Sequence, residues 1–534
     1  MAIAAHAERR TVCTITVNSD DEREVLRRTL PASEYDFVEL VERGRPDWLR
    51  GACERDVRCD VLLISGHFDG GTEFYTDRLD VRESLPVEEM ERVACSESCP
   101  GLFTRLREVY LMGCNTLDAA PFRTASGEVV RNLTASGASS IEAQRTADAL
   151  TEVFGESNRE RMRHVFKDVP VLYGFPGKAP LGRYAGPALE RYLRAGGEFG
   201  EGRASAKLLT AFASSGMVAV AGMRDDDARA AFRADMCRFL DDRIPAPRKA
   251  AFLREVLSRS AAEVRMFLDH IERYASRPVA PESSGEVAPE MAAIASDAPA
   301  RDRFLAIARD ADDAAVGVRM ARLALRLGWI GEQEQRAMVA ELLARRMRES
   351  RVGAADVDLA CSENGDGSLD AYAARWSPRG ARGTADAALL ACLGDAASRT
   401  RVLRALASND PADVTVAMAY LARRPLADAF ELRATVAGVA RMRGPAEAKV
   451  RALHALARHE VADRESLELL AETFRAERSL DVQRAIAGVF VHADYREIAP
   501  AAVARILKTQ RVRSPEGRDL IDVAIRRLDT AAAP

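Results

Sequence analysis

Lysine is nearly absent from the chain: of 77 basic residues only six are lysines, at Lys167, Lys178, Lys207, Lys249, Lys449 and Lys508. Together with abundant alanine, this bias marks a GC-rich bacterial genome and carries no functional information. Like-charge blocks are also missing. The formal net charge is −4 over 534 residues, with no run of five or more charges of one sign, which excludes nucleic acid as the main partner. No apolar stretch reaches the length of a membrane span, and Met1 to Arg10 lacks the hydrophobic centre of a secretory signal. A soluble, cytoplasmic protein is expected. There is no Gly-x-x-x-x-Gly-Lys-Ser/Thr loop, so nucleotide use is not indicated, and no cofactor is expected. The nine cysteines are odd in number and sparse. That pattern predicts reduced thiols and no disulfide framework.

What is present falls into two halves. Up to about residue 225, strand and helix signals alternate. Thr11–Val17, Tyr35–Val41, Asp60–Ser65, Val109–Gly113, Val169–Phe175 and Gly216–Val220 read as strands. The helix after the first strand is capped from Ser19 and runs through Arg28, and a polar helical stretch covers Pro86 to Arg107. Glycine-rich breaks lie near Gly127 and Gly137. Strands separated by helices imply crossover connections and a mainly parallel sheet.

Beyond residue 225 the strands stop. A helical connector is expected over 226–275 and a proline-rich linker over 276–300, carrying Pro278, Pro281, Pro289 and Pro299. Residues 301–534 then read as paired helices. Apolar segments beginning at Val414, Val450, Val482 and Asp519 recur at 32 to 37 residues, which predicts an all-α, HEAT-like solenoid. A second break is expected from Ser377 to Gly383.

Two residues carry the chemistry. His67 closes the run Asp60 to Ser65 through Gly66, and Cys114 closes Glu108 to Met112 through Gly113. Both runs are short, apolar and bounded by glycine, as expected of strands buried on both faces. In an open α/β sheet, chemistry collects beyond the carboxyl ends of such strands. If the two strands are adjacent and parallel, a base and a thiol reach one crevice, the minimum needed for acyl transfer through a thioester. The glycines around them let backbone N–H groups approach a substrate carbonyl. Gly70, Gly113 and Asn115 are the candidates for oxyanion or substrate binding, with Asp69 as the nearest acid.

At these residues the chain resembles the caspase-like cysteine peptidases, the group of caspases, metacaspases, separases and bacterial CHAT-domain proteins. The order strand–His–strand–Cys matches, and Gly113-Cys114-Asn115-Thr116 is similar to the Ala-Cys-Asn/Glu-Thr/Ser signature of CHAT domains. The resemblance spans residues 10 to 190. It implies a caspase-like α/β sandwich over residues 1–225, with His67 assisting, Cys114 attacking and the Cys114 amide in the oxyanion hole. Two positions depart from the family pattern. Phe68 follows the histidine where glycine is usual. Met112 stands where arginine- or lysine-cleaving members often carry an acid, so basic specificity gains no support there.

Other constellations are weaker. An amidotransferase would place its cysteine before its histidine. Cys53, Cys59, Cys95 and Cys99 lack the close pairs of a zinc site, and no metal is expected. Asn364 to Asp370 resembles the middle of an EF-hand loop, but Ser362 and Ala373 occupy the outer ligand positions, so it reads as a surface turn. His6, His164, His270, His454, His459 and His492 are read as structural or surface residues.

The expected activity is that of a cysteine endopeptidase acting on a protein substrate, with the helical repeats binding substrate or an activating protein. Bacterial defence or cell death is the setting the resemblance implies. The competing expectation is a catalytically degenerate scaffold.

Overall fold

The computed structural model describes residues 9–44, 47–68, 71–76, 83–96, 99, 101–120, 130, 134, 139–154, 156–277, 281–373, 382–496, 498–513 and 520–532. The chain divides into two compact units, Met1–Ile307 and Ala308–Pro534. Among the described residues no helix is long and apolar enough to cross a membrane.

Unit 1 is built on a six-stranded sheet of β1 (Arg10–Thr16), β2 (Tyr35–Glu39), β3 (Val61–Ser65), β6 (Glu108–Met112), β7 (Val171–Gly174) and β8 (Val218–Val220). Its order is β2-β1-β3-β6-β7-β8. Every pairing is parallel except β7 with β8. All six correspond to strand runs in the sequence. A separate antiparallel pair, β4 (Glu73–Tyr75) with β5 (Ser84–Pro86), was not expected.

The central strands β3 and β6 are buried along their whole length, and alternation divides their side chains between two cores. Leu62, Ile64, Val109 and Leu111 face one layer, with α2 (Trp48–Glu54), α3 (Val87–Cys95) and α5 (Asn158–Val165). Val61, Leu63, Tyr110 and Met112 face the other, with α1 (Asp21–Thr29), α6 (Gly182–Arg194) and α7 (Ala206–Ala211). Between α3 and α5 lies α4 (Ser140–Phe154). This three-layer arrangement explains why the strands read as unbroken apolar runs.

The expected boundary at 225 is not where compactness ends, because helices up to Ile307 belong with the sheet. Ion pairs make the connection: Arg273 reaches Glu91 of α3 at 2.9 Å, and Arg277 pairs with Glu88. The stretch 276–300, expected as a linker, instead holds a helix over Pro281–Ser296. Pro281 is its first residue, where a missing N–H costs nothing, and Pro289 is tolerated inside it. The glycine-rich breaks near Gly127 and Gly137 lie outside the described residues, as does most of the break expected at Ser377 to Gly383.

Among its described residues unit 2 is helical, and from Ala354 onward alternate helices form two layers. Ala354–Glu363, Thr384–Cys392, Pro411–Arg423, Ala446–Leu456, Leu480–His492 and Leu520–Ala532 stack in one. Ala396–Ala405, Ala429–Ala440, Arg464–Ala476 and Pro500–Gln510 stack in the other. The recurring apolar segments of the sequence all fall in the first layer. The EF-hand-like stretch is a turn tied by Asn364, whose side chain donates to Asp370 at 2.7 Å and accepts from the Leu369 amide at 2.7 Å.

Candidate active site

Ser65 of β3 is the register partner of Met112 of β6. His67 and Cys114 each follow two residues later, so adjacent parallel strands, about 4.8 Å apart, release both at the same height. They line one crevice with Glu22, Met112, Ala179 and Leu181. Its open volume is about 40 Å³, room for ordered water.

The backbone of His67 is pinned from the side. Its N–H donates to the Tyr75 carbonyl and its carbonyl accepts from the Tyr75 N–H, both at 2.9 Å, and the two rings lie 5.4 Å apart. The β4–β5 pair therefore holds the histidine in place. Phe68, where the family pattern has glycine, turns inward and packs on Phe74 with ring centroids 4.6 Å apart. It also explains Gly113. A Cβ at that position would lie 2.8 Å from the Phe68 Cβ and 2.9 Å from the Gly66 carbonyl, so no side chain fits.

Cys114 is half-buried, and the Ala179 N–H donates to its Sγ at 3.3 Å. The turn that follows is fastened to the end of β7. Asn115 adopts the left-handed conformation, φ 59°, and its amide donates to the Gly177 carbonyl at 2.7 Å. The Leu117 amide donates to Phe175 at 3.0 Å. The fully buried Thr116 hydroxyl donates to the Gly113 carbonyl at 3.1 Å and accepts from the Phe175 amide at 3.2 Å. Because the Asn115 amide is already engaged, an oxyanion would have to look to another N–H.

A third element, α5, braces both loops. Asn158 donates to the Asn115 carbonyl at 3.0 Å, the Arg159 amide to the Asp118 carbonyl at 3.0 Å, and Arg161 to the Gly71 carbonyl at 2.6 Å. Gly71, at φ +70°, passes so close to α5 that a Cβ there would fall 2.5 Å from Asn158 Oδ1. Arg161 is held in turn by Glu91 at 2.9 Å and Glu156 at 3.2 Å, and Glu91 also pairs with Arg273. Burial alone would push the Glu91 carboxyl up. The Arg161 and Arg273 guanidiniums outweigh it and hold Glu91 down at about 2.

Sequence reasoning missed Glu22. It sits on α1, 1% exposed, and accepts from the Ser65 hydroxyl at 3.1 Å. Burial pushes its carboxyl up to about 7, only partly opposed by its own helix-start amide and by Ser65. The available signal was its spacing: Glu22, Val25 and Leu26 lie on one buried helix face. Of the other expected site residues, Gly113 and Asn115 are placed as described, while Asp69 and Gly70 lie outside the described residues.

The expectation of reduced thiols is overturned. Eight cysteines form four disulfides, Cys13–Cys59, Cys53–Cys99, Cys95–Cys237 and Cys361–Cys392. The four once grouped as a conceivable zinc set thus belong to three separate pairs. Partners 31 to 142 residues apart meet only through the fold; Cys13 and Cys59, for example, sit on or beside the adjacent strands β1 and β3. Cys114 is the one free cysteine among the described residues.

No protein-family model matches the chain, and no curated protein is significantly similar to it.

Proposed function

We propose that the chain is a cysteine endopeptidase of caspase-like design, with Cys114 as nucleophile and His67 as its base. The observation that carries this reading is the pairing of Ser65 with Met112, which brings the only free thiol among the described residues and a histidine into one crevice. The thiol proton passes to the imidazole, and a C–S bond forms at the scissile carbonyl. The C–N bond then breaks as His67 returns the proton to the leaving amine. Water, deprotonated by His67, cleaves the thioester and restores the thiol. The Cys114 amide would hold the oxyanion, and loss of one such donor costs about 2.7–4 kcal/mol in other enzymes. The Ala179 N–H, 3.3 Å from Sγ, fixes the position of the sulfur in the crevice.

The HEAT-like helices would bind the protein substrate or an activator, in a bacterial defence or cell-death setting. The four disulfides persist in oxidising surroundings; a cytoplasmic setting requires the same sulfurs as thiols. The scaffold reading draws on the narrowness of the crevice. Incubating candidate partner proteins with the wild type and with Cys114→Ala, followed by mass spectrometry, tests the proposal. Fragments made only by the wild type are expected. Identical digests from the two would end the peptidase reading and leave the scaffold.

A further inference from the structure

The crevice holds three ionisable side chains, Glu22, His67 and Cys114. No ion pair engages Glu22 among the described residues. Its neighbour on the helix, Arg23, turns the other way, to Thr16 and Glu39, each at 3.0 Å. Ser65 donates a neutral hydroxyl to the Glu22 carboxyl, and no opposite charge among the described residues supports its ionised form. The flanking charges Asp20 and Asp21 are also acidic and push its carboxyl further up. A buried carboxylate with no opposite partner is costly, so burial favours the protonated acid. A cation entering from the crevice would supply the missing charge and favour the carboxylate.

We propose that this crevice is the specificity pocket for the residue before the scissile bond, and that Glu22 selects a lysine or arginine side chain there. The inference rests on the peptidase reading and names its substrate class. The carboxylate would meet the ammonium or guanidinium, and the apolar walls of Met112, Pro180 and Leu181 would cover the aliphatic stem. An aspartate side chain would meet a like charge with no arginine in the lining to offset it. A leucine would offer Glu22 no opposite charge and leave it a protonated acid. Because the open volume is only about 40 Å³, the Ala179–Leu181 segment must retreat as the side chain enters, which frees the sulfur from the Ala179 amide. An acid missing two positions before the cysteine, where Met112 stands, is thus supplied from another helix.

The test uses the full chain and peptidyl acyloxymethyl ketones that differ only in the terminal residue: lysine, arginine, leucine or aspartate. Cys114 labelling is read by mass spectrometry. Lysine and arginine probes should react at least ten-fold faster than the leucine probe, and aspartate slowest. Glu22→Gln should erase that preference, with each probe rate divided by the variant's own iodoacetamide rate at Cys114 so that any general change in thiol reactivity cancels; Glu22→Asp should retain part of it. Equal rates for leucine and lysine, or a preference that survives Glu22→Gln, would overturn the proposal. If no peptide probe labels Cys114, the peptidase reading fails by itself. Benzamidine titrated into Cys114→Ala by calorimetry then decides the cation site: binding abolished by Glu22→Gln upholds it, and no binding refutes it.

Discussion

The side-chain amide of Asn158 donates a 3.0 Å hydrogen bond to the backbone carbonyl of Asn115, the residue immediately after the proposed nucleophile. Asn115 is held in a left-handed conformation that few non-glycine residues adopt without local support. Removing the support should let the Cys114 loop relax. Asn158→Ala is expected to lower the rate of Cys114 alkylation at neutral pH about ten-fold and to cost about 1–3 kcal/mol of stability, the usual loss when a buried acceptor is orphaned. Alkylation kinetics and urea melts would measure both. An unchanged alkylation rate would show that α5 does not position the thiol.

Thr116 joins the ends of β6 and β7 through one hydroxyl, with no exposed surface. Thr116→Val keeps the shape and leaves the Phe175 amide and the Gly113 carbonyl without that partner. A loss of about 1–3 kcal/mol is expected, and Thr116→Ser should recover most of it. A valine variant as stable as wild type in chemical denaturation would contradict the bonding described.

Acid should destabilise unit 1 mainly below pH 4.5, where two buried groups act together. His164 is buried on α5, neither ring nitrogen meeting a hydrogen-bond partner among the described residues, and burial lowers its pKa from 6.5 to about 3. The unfolded chain therefore binds the proton more readily. The His164 contribution is fully present above pH 6.5 and falls by roughly 1.4 kcal/mol per unit below it, down to the folded value. Glu22, raised to about 7 in the folded chain, adds stability as pH falls from 7 to 4.5 and offsets that fall there. Glu91, held low at about 2 against an ordinary 4.5, adds its own loss as pH falls below 4.5. His164→Leu should remove the falling contribution, so that in thermal melts the variant gains stability relative to the wild type as pH drops from 6.5 to 4.5. Equal slopes for the two proteins would show that His164 contributes no such fall.

Thiol titration should distinguish the nine cysteines. Denatured without reductant and treated with a maleimide, the protein should take up one label, on Cys114, and nine after reduction. Nine labels without reductant would place all the sulfurs as thiols, as the sequence alone suggested.

The sheet was legible because its central strands are buried on both faces. Val61 to Ser65 and Glu108 to Met112 have no polar alternation to confuse with a helix, and their closing glycines mark where side chains emerge. The positions of His67 and Cys114 followed from that. The β4–β5 pair was not legible: each strand has three residues, too few for periodicity to register. The helix over Pro281–Ser296 was hidden by its prolines, which read as breaks unless one knows that Pro281 opens it. Glu22 sat in an acidic run, Asp20 to Glu24, that is the ordinary signature of a helix start, so its burial could be seen only once α1 was laid on the sheet. Asn158 and Arg161 are separated from the residues they hold by 43 and 90 positions, and no local pattern announces such a brace.

With eight cysteine sulfurs tied in pairs, the untreated molecule presents one thiol among the described residues to a maleimide. A fluorophore or spin label carried on a maleimide would land beside His67 without deletion of any native cysteine. The arrangement thus supplies a reporter position at the mouth of the crevice, from which displacement of the Ala179–Leu181 segment could be watched directly as a peptide arrives.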